Sequence, residues 1–374
     1  MRLFSLKTIT LAVGALCATG ASFAQSSVTL YGIADLGVTF VDGNDSWNGL
    51  TSGNNLTSRL GVRGTEDLGG GLKANFRLEG GINLDVGDGA SGYAGATAGS
   101  GFAFKRNSTV GLQGGFGEVR MGRELTAAYN AVARYDVFGS VGLGASQLWG
   151  DGGISDATGL STTARTTNQR VSNMVTYLTP NFAGFKAAVN YGFGEVAGAN
   201  SNRRYMSLGA NYDNGPISAG LGLERLSRDV STVAATAQGG DISAWSLGGS
   251  YDFGVAKLLA GYRQSKVDDF GAVLGAENKR KGYMLAVTAP VGGSGLVRAA
   301  YNRYEDEQTA AADAKADHFA IGYVHGLSKR TSLYGTYAYI KNKNNGTRFS
   351  INGSTNGLDN GKQQGLQVGV THSF

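Results

Sequence analysis

Apolar and polar residues alternate strictly along several stretches of this chain. Between Leu72 and Glu79, the even positions are Leu, Ala, Phe and Leu, and the odd positions are Lys, Asn, Arg and Glu. The segment Leu366–Phe374 alternates in the same way. A period of two residues is typical of a β-strand with one apolar and one polar face. The pattern therefore predicts strands over most of the chain.

The alternation predicts sixteen strands, joined by connections of two kinds. The strands lie at residues 28–40, 58–67, 71–84, 104–114, 117–123, 170–180, 184–193, 204–213, 216–226, 244–252, 255–265, 281–290, 295–304, 317–327, 330–341 and 364–374. Seven connections are short and carry turn-forming residues. The other eight are longer and polar, at 41–57, 85–103, 124–169, 194–203, 227–243, 266–280, 305–316 and 342–363. Because the two kinds alternate, we expect an up-and-down meander with all tight turns at one end.

An even number of strands, each about ten residues long with one apolar face, suits a closed barrel that crosses a membrane. Aromatic residues recur near the predicted strand ends, where such barrels carry interfacial girdles. These residues are Tyr31, Phe40, Tyr177, Tyr191, Tyr212, Trp245, Tyr251, Tyr262, Tyr301, Tyr339 and Phe374. We therefore predict an all-β fold, a 16-stranded antiparallel transmembrane β-barrel. An exported adhesin or β-sandwich is the alternative.

Composition supports this fold and excludes other classes of protein. The chain has 374 residues, of which 61 are Gly and only 3 are Pro. Excess glycine disfavours long helices, and 17 Tyr with 16 Phe exclude a disordered chain. Beyond the N-terminal segment there is no run of about 20 apolar residues, so we expect no membrane-spanning helix there.

The first residues have the features of an export signal. A positively charged start, an apolar stretch and small residues before Gln25 predict a secretory signal peptide at Met1–Ala24. The single cysteine, Cys17, lies within it. The barrel domain is predicted at residues 25–374, and it gains no stability from disulfides.

The charges are distributed unevenly between the two predicted faces. A net charge of +5 is too small to indicate nucleic-acid binding. The alternation nevertheless places eleven cations but only three anions on the polar face, which would line the barrel. The cations are Arg59, Arg63, Lys73, Arg77, Arg106, Arg120, Arg170, Lys186, Lys257, Arg263 and Arg298, and the anions are Glu79, Glu118 and Glu224. Arginine and lysine rings favour anions in a channel.

The connection at 124–169 is much the longest, and it shows no clear helix or strand pattern. Long connections of this kind are usually functional or disordered. Its first part, 129–139, is compact and rich in aromatic residues. We expect it to fold into the barrel and narrow the channel, with an exposed surface loop as the alternative.

Five blocks of sequence together are characteristic: Val28–Gly32 (VTLYG), Ser58–Gly69 (SRLGVRGTEDLG), Gly111–Arg123 (GLQGGFGEVRMGR), Val175–Phe185 (VTYLTPNFAGF) and Val370–Phe374 (VTHSF). They resemble the general diffusion porins of Gram-negative outer membranes, with most similarity to those of beta-proteobacteria. Each block is weak alone, whereas their order and spacing are specific. The resemblance covers nearly the whole predicted mature chain.

The resemblance implies a homotrimer in the outer membrane, with one water-filled pore per subunit. It implies short periplasmic turns, long extracellular loops and a third long loop that folds inward. The implied partners are outer-membrane lipid and lipopolysaccharide, the barrel assembly machinery, and small hydrophilic solutes and anions. The terminal Phe374 resembles the signal that the assembly machinery reads.

The resemblance also implies a pore constriction in which wall arginines face acidic residues on the inward loop. The matching wall residues are Arg59, Arg106 and Arg170, and Asp136 occupies an acidic position on the loop. Three further residues are predicted to line the constriction: Arg63, Arg77 and Arg134. Because Arg77 stands where some relatives carry glutamate, we expect anion preference.

The sequence thus predicts a passive diffusion channel for small hydrophilic solutes and ions, with anion preference. One alternative is an anion-specific channel with a binding site for phosphate or an organic acid, and another is an outer-membrane adhesin or receptor. An enzyme is not expected, because none of the 3 histidines accompanies a Gly-x-Ser-x-Gly motif. The sequence indicates no cofactor and no metal site.

Overall fold

The computed structural model describes residues 27–90, 101–149, 169–228, 240–268, 277–308, 311–346, 348–351 and 357–374. The predicted signal peptide at 1–24 lies outside these residues and stays a prediction. The later part of the 124–169 connection, from 150 to 168, also lies outside them.

The described residues form one antiparallel sheet that closes on itself. Its strands are β1 (Ser27–Asp42), β2 (Ser46–Ser52), β3 (Arg59–Gly69), β4 (Leu72–Asn83), β5 (Asp88–Ala90), β6 (Asn107–Gly114), β7 (Gly117–Leu125), β8 (Arg170–Leu178), β9 (Phe185–Gly192), β10 (Tyr205–Asn214), β11 (Ile217–Leu226), β12 (Ile242–Asp252), β13 (Lys257–Val267), β14 (Asn278–Val291), β15 (Gly295–Gln308), β16 (Ala311–Gly326), β17 (Thr331–Asn342) and β18 (Lys362–Ser373). Since β18 pairs with β1, the sheet is a barrel without free edges.

The wall of this barrel has sixteen strands, as predicted. β2 and β3 both pair with β1, one above the other, and together form a single wall strand that is interrupted at 53–58. The three-residue β5 pairs only with the end of β4. The remaining strands each pair with their neighbours in chain order, and β4 pairs with β6.

Two of the predicted long connections are wrong. The segment 41–57 contains β2, which forms a tight hairpin with β1 through Asp42–Ser46. The segment 305–316 is mostly strand, because β15 continues to Gln308 and β16 begins at Ala311. On β15 charged residues occupy both faces there, and on β16 alanines alternate with Asp313 and Lys315, so no large apolar residue marks these strand ends while backbone pairing continues.

Burial on β1 shows which face of the wall lies inside. Asp35 is fully buried and Thr39 is 2 % exposed, whereas Val38 and Phe40 are 40 % and 46 % exposed. Directly opposite residues of antiparallel strands share a face, and the registers carry this assignment around the sheet. The polar face therefore lines the interior and the apolar face forms the outer surface, as the alternation predicts.

The first part of the longest connection lies inside the barrel, as predicted. We call Thr126–Trp149 the inner loop. It begins with the helix α1 (Ala127–Val132), whose first turn is capped by the Thr126 hydroxyl, and continues with a 3₁₀ turn at Ala133–Tyr135. The sequence indicated no helix here, because six residues are too few to show a helical period. No helix among the described residues is long and apolar enough to cross a membrane.

Glycines on the inner face of the wall leave room for the inner loop. A Cβ atom at Gly248 would lie 2.1 Å from Cδ2 of Tyr135, and one at Gly209 would lie 2.1 Å from the carbonyl oxygen of Ala127. Trp149 is likewise fully buried against Gly261. The high glycine content thus lets a loop pack directly on the backbone of the barrel wall.

Candidate functional site: the charged wall of the channel

The register of β3 and β4 brings the predicted wall cations together. Arg63 is directly opposite Arg77, and Gly61 is directly opposite Glu79. On the next strand, Asn107 is opposite Glu79 and directly follows Arg106. The alternation that points these side chains inward is local, whereas their neighbourhood depends on the register of the three strands.

Glu79 lies at the centre of this cluster, with its side chain only 3 % exposed. Its carboxylate is 2.7 Å from Nε of Arg106, 2.5 Å from Nη2 of Arg77 and 3.8 Å from Nη1 of Arg59. A buried carboxylate requires such partners. Because one anion faces three cations, the cluster keeps an excess of positive charge.

Tyr31 completes the cluster. Its hydroxyl donates to Oε2 of Glu79 over 2.9 Å and accepts from Nε of Arg77 over 2.8 Å. The guanidinium carbon of Arg63 lies 5.3 Å from the centre of the Tyr31 ring, within the range of a cation–π contact. The prediction that Tyr31 belongs to the outer girdle is therefore wrong. It is directly opposite inward Gly61, where a Cβ would lie 2.5 Å from the ring.

Arg106 and Arg170 lie deeper in the wall than Arg59 and Arg77. Both are almost fully buried, and Nε of Arg170 donates to the carbonyl oxygen of Arg106 over 2.8 Å. The side chain of Arg77, in contrast, is 45 % exposed. The predicted arginines therefore form two layers, an exposed one at the water and a buried one that supports it.

Asp136 lies on the inner loop, where its charged neighbour is Arg298. Its carboxylate is buried within the inner loop and accepts from the backbone N–H groups of Phe138 (2.9 Å), Ser140 (3.2 Å) and Ser146 (2.9 Å). Burial raises the pKa of Asp136 to about 6, because desolvation outweighs these hydrogen bonds. The residue shapes the turn of the loop, whose buried N–H groups need an acceptor.

Arg134 also lies apart from the wall cluster. Both of its terminal nitrogens are 3.0 Å from the carboxylate of Asp213, near the short turn that follows β10. The sequence placed Arg134 near the constriction because it is close to Asp136 in the chain. The structure instead directs it towards the end of the barrel where the short turns lie.

Two cations on the opposite wall contact the inner loop and its surroundings. Nη1 of Arg298 donates to the carbonyl oxygen of Val137 over 3.2 Å, and its guanidinium carbon lies 4.5 Å from the ring centre of Phe138. Arg280, which the sequence assigned to a connection, donates to Gln147 over 3.3 Å. The alternation does not indicate Arg280 as a lining residue, because β14 begins three residues before the apolar pattern does.

Three further predicted lining cations have no carboxylate within salt-bridge distance in the described part of the chain: Arg63, Lys73 and Lys186. All three are exposed. By contrast, Arg263 forms a buried ion pair with Glu224 at 3.0 Å. The positive charge of Arg63, Lys73 and Lys186 therefore meets the water without a neighbouring carboxylate in the described part of the chain, whereas the buried Arg106 and Arg263 each have one.

Comparison with known proteins connects this geometry to a family. Residues 10–345 match the family model described as Gram-negative porin. The chain is 43% identical over 351 residues to outer membrane porin protein 32 of Delftia acidovorans, covering 91% of this chain and 92% of that protein. It is 32% identical over 376 residues to an outer membrane porin protein of Bordetella pertussis, covering 86% of this chain and 91% of that protein.

Solved structures agree. An anion-selective porin from Comamonas acidovorans has a TM-score of 0.78 at 43% identity, covering 94% of this chain and 100% of that one. The trimer form of OmpT from Vibrio cholerae has a TM-score of 0.67 at 18% identity, covering 93% of this chain and 99% of that one. At this identity the likeness concerns the fold alone. The chain therefore belongs to the Gram-negative porin family: it is an outer-membrane β-barrel through which small hydrophilic solutes diffuse passively.

Proposed function

We propose that this porin prefers anions and that solutes pass between the inner loop and the arginine-rich wall of β3, β4 and β6. The observation that carries the proposal is the arrangement of Arg59, Arg77 and Arg106 around the single carboxylate of Glu79. The exposed Arg63, without a carboxylate partner among the described residues, adds to the positive charge.

Electrostatics gives this arrangement its effect. Inside a narrow channel whose walls have a low dielectric constant, less water screens the wall charges. Their electric field therefore reaches further than the field of charges on an open protein surface. A solute that passes the wall therefore meets a positive potential, which raises the local concentration of anions and lowers that of cations. The name of the similar Comamonas acidovorans protein, an anion-selective porin, supports the same preference.

The test is the reversal potential of the purified protein in a planar bilayer that separates two KCl concentrations. We expect a zero-current potential with the sign of chloride preference, decreasing as ionic strength rises because salt screens the wall. A potential with the sign of potassium preference would overturn the proposal. A barrel that never conducts would favour the adhesin or receptor alternative.

A binding site for phosphate or an organic acid is the second candidate. The guanidinium carbons of Arg63 and Arg77 lie 5.3 and 5.6 Å from the centre of the Tyr31 ring. Planar guanidinium groups can bind carboxylate or phosphate in a bidentate manner. Conductance that saturates at low concentration of one such anion would support the site, whereas linear conductance for all small anions would exclude it.

We also propose a homotrimer. Outward tyrosines and tryptophans form a belt from β8 to β17: Tyr177, Tyr191, Tyr212, Trp245, Tyr251, Tyr262, Tyr283, Tyr301, Tyr323, Tyr337 and Tyr339. The described outward positions of β18, β1, β3 and β4 carry no tyrosine and no tryptophan. Because such a belt is typical of a surface in contact with lipid, the strands that lack it suit contact with other subunits. Cross-linking or native mass spectrometry tests the stoichiometry.

The outer surface of β14–β16 suits contact with lipopolysaccharide. Beyond Tyr283 and Tyr301, towards the long-loop end, charged side chains replace the apolar ones. They include the ion pairs Lys281–Glu307 at 2.9 Å and Arg303–Asp317 at 3.4 Å. Basic groups just beyond the aromatic belt attract the phosphates of lipid head groups. Retention of lipopolysaccharide by the purified protein, and its loss in Lys281→Gln, would test the contact.

The C-terminus closes the barrel and carries the proposed assembly signal. Backbone N–H and C=O groups of Phe374 and Gly32 exchange two hydrogen bonds of 3.1 Å. The Phe374 ring is half exposed and lies over Gly32. We propose that the barrel assembly machinery recognises this ring, so Phe374→Ala would reduce the amount of folded barrel in the outer membrane. As a channel, the protein requires no catalytic group or cofactor.

A further inference from the structure

The interruption between β2 and β3 has a structure of its own. We call Gly53–Ser58 the inner turn. A β-bulge inserts one extra residue, whereas six residues leave the wall here. Gly53 starts the inner turn with a φ of 75°, a left-handed conformation that glycine adopts without strain. Asn54, Asn55 and Ser58 are buried although all are polar.

A buried carboxylate on β1 binds the backbone of the inner turn. Oδ1 of Asp35 accepts from the N–H of Asn54 over 2.7 Å, and Oδ2 accepts from the N–H of Leu56 over 3.1 Å. The N–H of Asn55 lies 3.3 Å from both oxygens. Three consecutive N–H groups form a concave anion site. Asp35 is fully buried and faces the interior, so the inner turn lies on the interior side of the wall.

Side chains from β17 and β18 complete the environment of this carboxylate. The Tyr334 hydroxyl donates to Oδ1 over 3.0 Å, and the Thr371 hydroxyl donates to Oδ2 over 2.5 Å. Ser58 Oγ accepts from the N–H of Asp35 over 3.0 Å. A buried charge of this kind is tolerated only when hydrogen bonds replace its water. Asp35 therefore fixes the position of the inner turn relative to the barrel closure.

The inner turn contacts the inner loop both through the side chain of Gln367 and by direct packing of backbone on backbone. Nε2 of Gln367 donates to Oδ1 of Asn54 over 2.9 Å, while its Oε1 accepts from the N–H of Leu143 over 2.9 Å. Gly142 packs so closely that a Cβ there would lie 2.1 Å from the carbonyl oxygen of Asn54. The middle of the inner loop thus rests on the inner turn.

The other end of the inner turn adjoins the arginine cluster. Nε of Arg59 donates to the carbonyl oxygen of Thr57 over 2.9 Å. The N–H of Ile82 donates to the carbonyl oxygen of Ser58 over 3.2 Å, which ties the turn to β4. The inner turn therefore lies between the inner loop and Arg59, the two sides of the proposed passage.

We propose that the inner turn is a second pore-narrowing element, and that Asp35 is the positioning residue that fixes the pore width beside Arg59. This rests on the proposed passage between the inner loop and the arginine-rich wall. Because Gln367 joins the inner turn to the inner loop, the two elements move as one unit. The inner turn sets the size limit of the pore, and the arginines set its charge preference.

Asp35→Asn tests the proposal. The amide keeps the shape of the side chain but replaces one acceptor oxygen with a donor that faces backbone N–H groups. Losing one hydrogen bond to a charged acceptor raises the population of a displaced turn by about tenfold. We expect a higher single-channel conductance and faster swelling of proteoliposomes in neutral sugars near the size limit, while the reversal potential in a KCl gradient stays unchanged.

Two further variants keep the test decisive. Gln367→Leu removes the hydrogen bonds that link the inner turn to the inner loop and leaves Asp35 in place, so it should change sugar permeation in the same direction, and it serves if Asp35→Asn does not fold. Asp252→Asn, at an exposed short-turn site paired with Lys257 at 3.5 Å, is the matched control. Folding is checked by heat-dependent electrophoretic mobility before each measurement.

The outcomes separate this proposal from the proposed function. Unchanged or slower sugar permeation in both folded variants would overturn the role of the inner turn. A shift of the reversal potential without a change in sugar permeation would also overturn it, because Asp35 would then act through its charge. Cation preference of the unmodified protein would overturn the anion preference and leave the effect on sugars as a separate result.

Discussion

Nε of Arg106 donates to Oε1 of Glu79 over 2.7 Å, and both side chains are almost completely withdrawn from water. Burying a carboxylate or a guanidinium alone carries a large desolvation penalty, so each of these two charges is stable in the wall only beside the other. Arg59 and Arg77, which reach the water, lie around the same carboxylate. The positions of Arg59 and Arg77 therefore depend on the buried pair of Glu79 and Arg106.

Neutralising the central anion should strengthen anion preference. In Glu79→Gln, the positive charges of the three surrounding arginines are no longer offset, so the local potential rises. We expect the reversal potential in a KCl gradient to move further towards the chloride value. Glu66→Gln, on the outer face of β3, is the matched control and should leave it unchanged. An unchanged potential in Glu79→Gln would place the selectivity elsewhere.

The exposed and buried arginines should respond differently to replacement. Arg63→Gln removes an exposed charge, so it should lower the anion-to-cation permeability ratio with little effect on stability. Arg106→Gln leaves Glu79 with fewer partners and should destabilise the barrel by about 1–3 kcal/mol. The midpoint of the heat-induced mobility change measures the second effect. Equal destabilisation by both variants would contradict the two-layer arrangement.

Filling one inward glycine should displace the inner loop. In Gly248→Ala, the new Cβ would lie 2.1 Å from the Tyr135 ring, so the loop must shift. We expect lower thermal stability and altered conductance. The neighbouring Gly249 faces outward, and a Cβ there would come no closer than 3.3 Å to any atom, so Gly249→Ala is the control. If the two substitutions had similar effects, the cause would be the replacement of glycine by alanine in the strand and not displacement of the inner loop.

Acid should stabilise the turn of the inner loop. The pKa of Asp136 is raised to about 6, so the folded loop favours the protonated carboxyl. Its contribution is complete below the pKa of the unfolded chain and is lost as pH rises through about 6, by at most about 3 kcal/mol. Conductance fluctuations should therefore increase from pH 4 to pH 7. In Asp136→Asn, which cannot ionise, this increase should disappear, and a persistent increase would assign it to another group.

Much of the barrel could be predicted because each strand shows itself in the local alternation of apolar and polar residues. A period of two fixes which side chains share a face, and turn-forming residues separate the strands. The inward direction of Arg59, Arg77 and Lys186 follows from this alone. The wrong connections at 41–57 and 305–316 lie where few large apolar residues occur on either face, so backbone pairing continues without an apolar signal.

Residue partners could not be predicted in the same way, because they depend on register and on contacts between distant segments. The ring of Tyr31 packs on Gly61 of the neighbouring strand, and the carboxylate of Asp136 is buried as the acceptor for the turn around it. Gln367 meets Leu143 across 224 positions of chain. The sequence by itself determined the strands, their faces and the positive lining. Only the tertiary structure decided which charges are paired and how the inner turn meets the inner loop, since hydrogen bonds and burial are set by closure of the whole barrel.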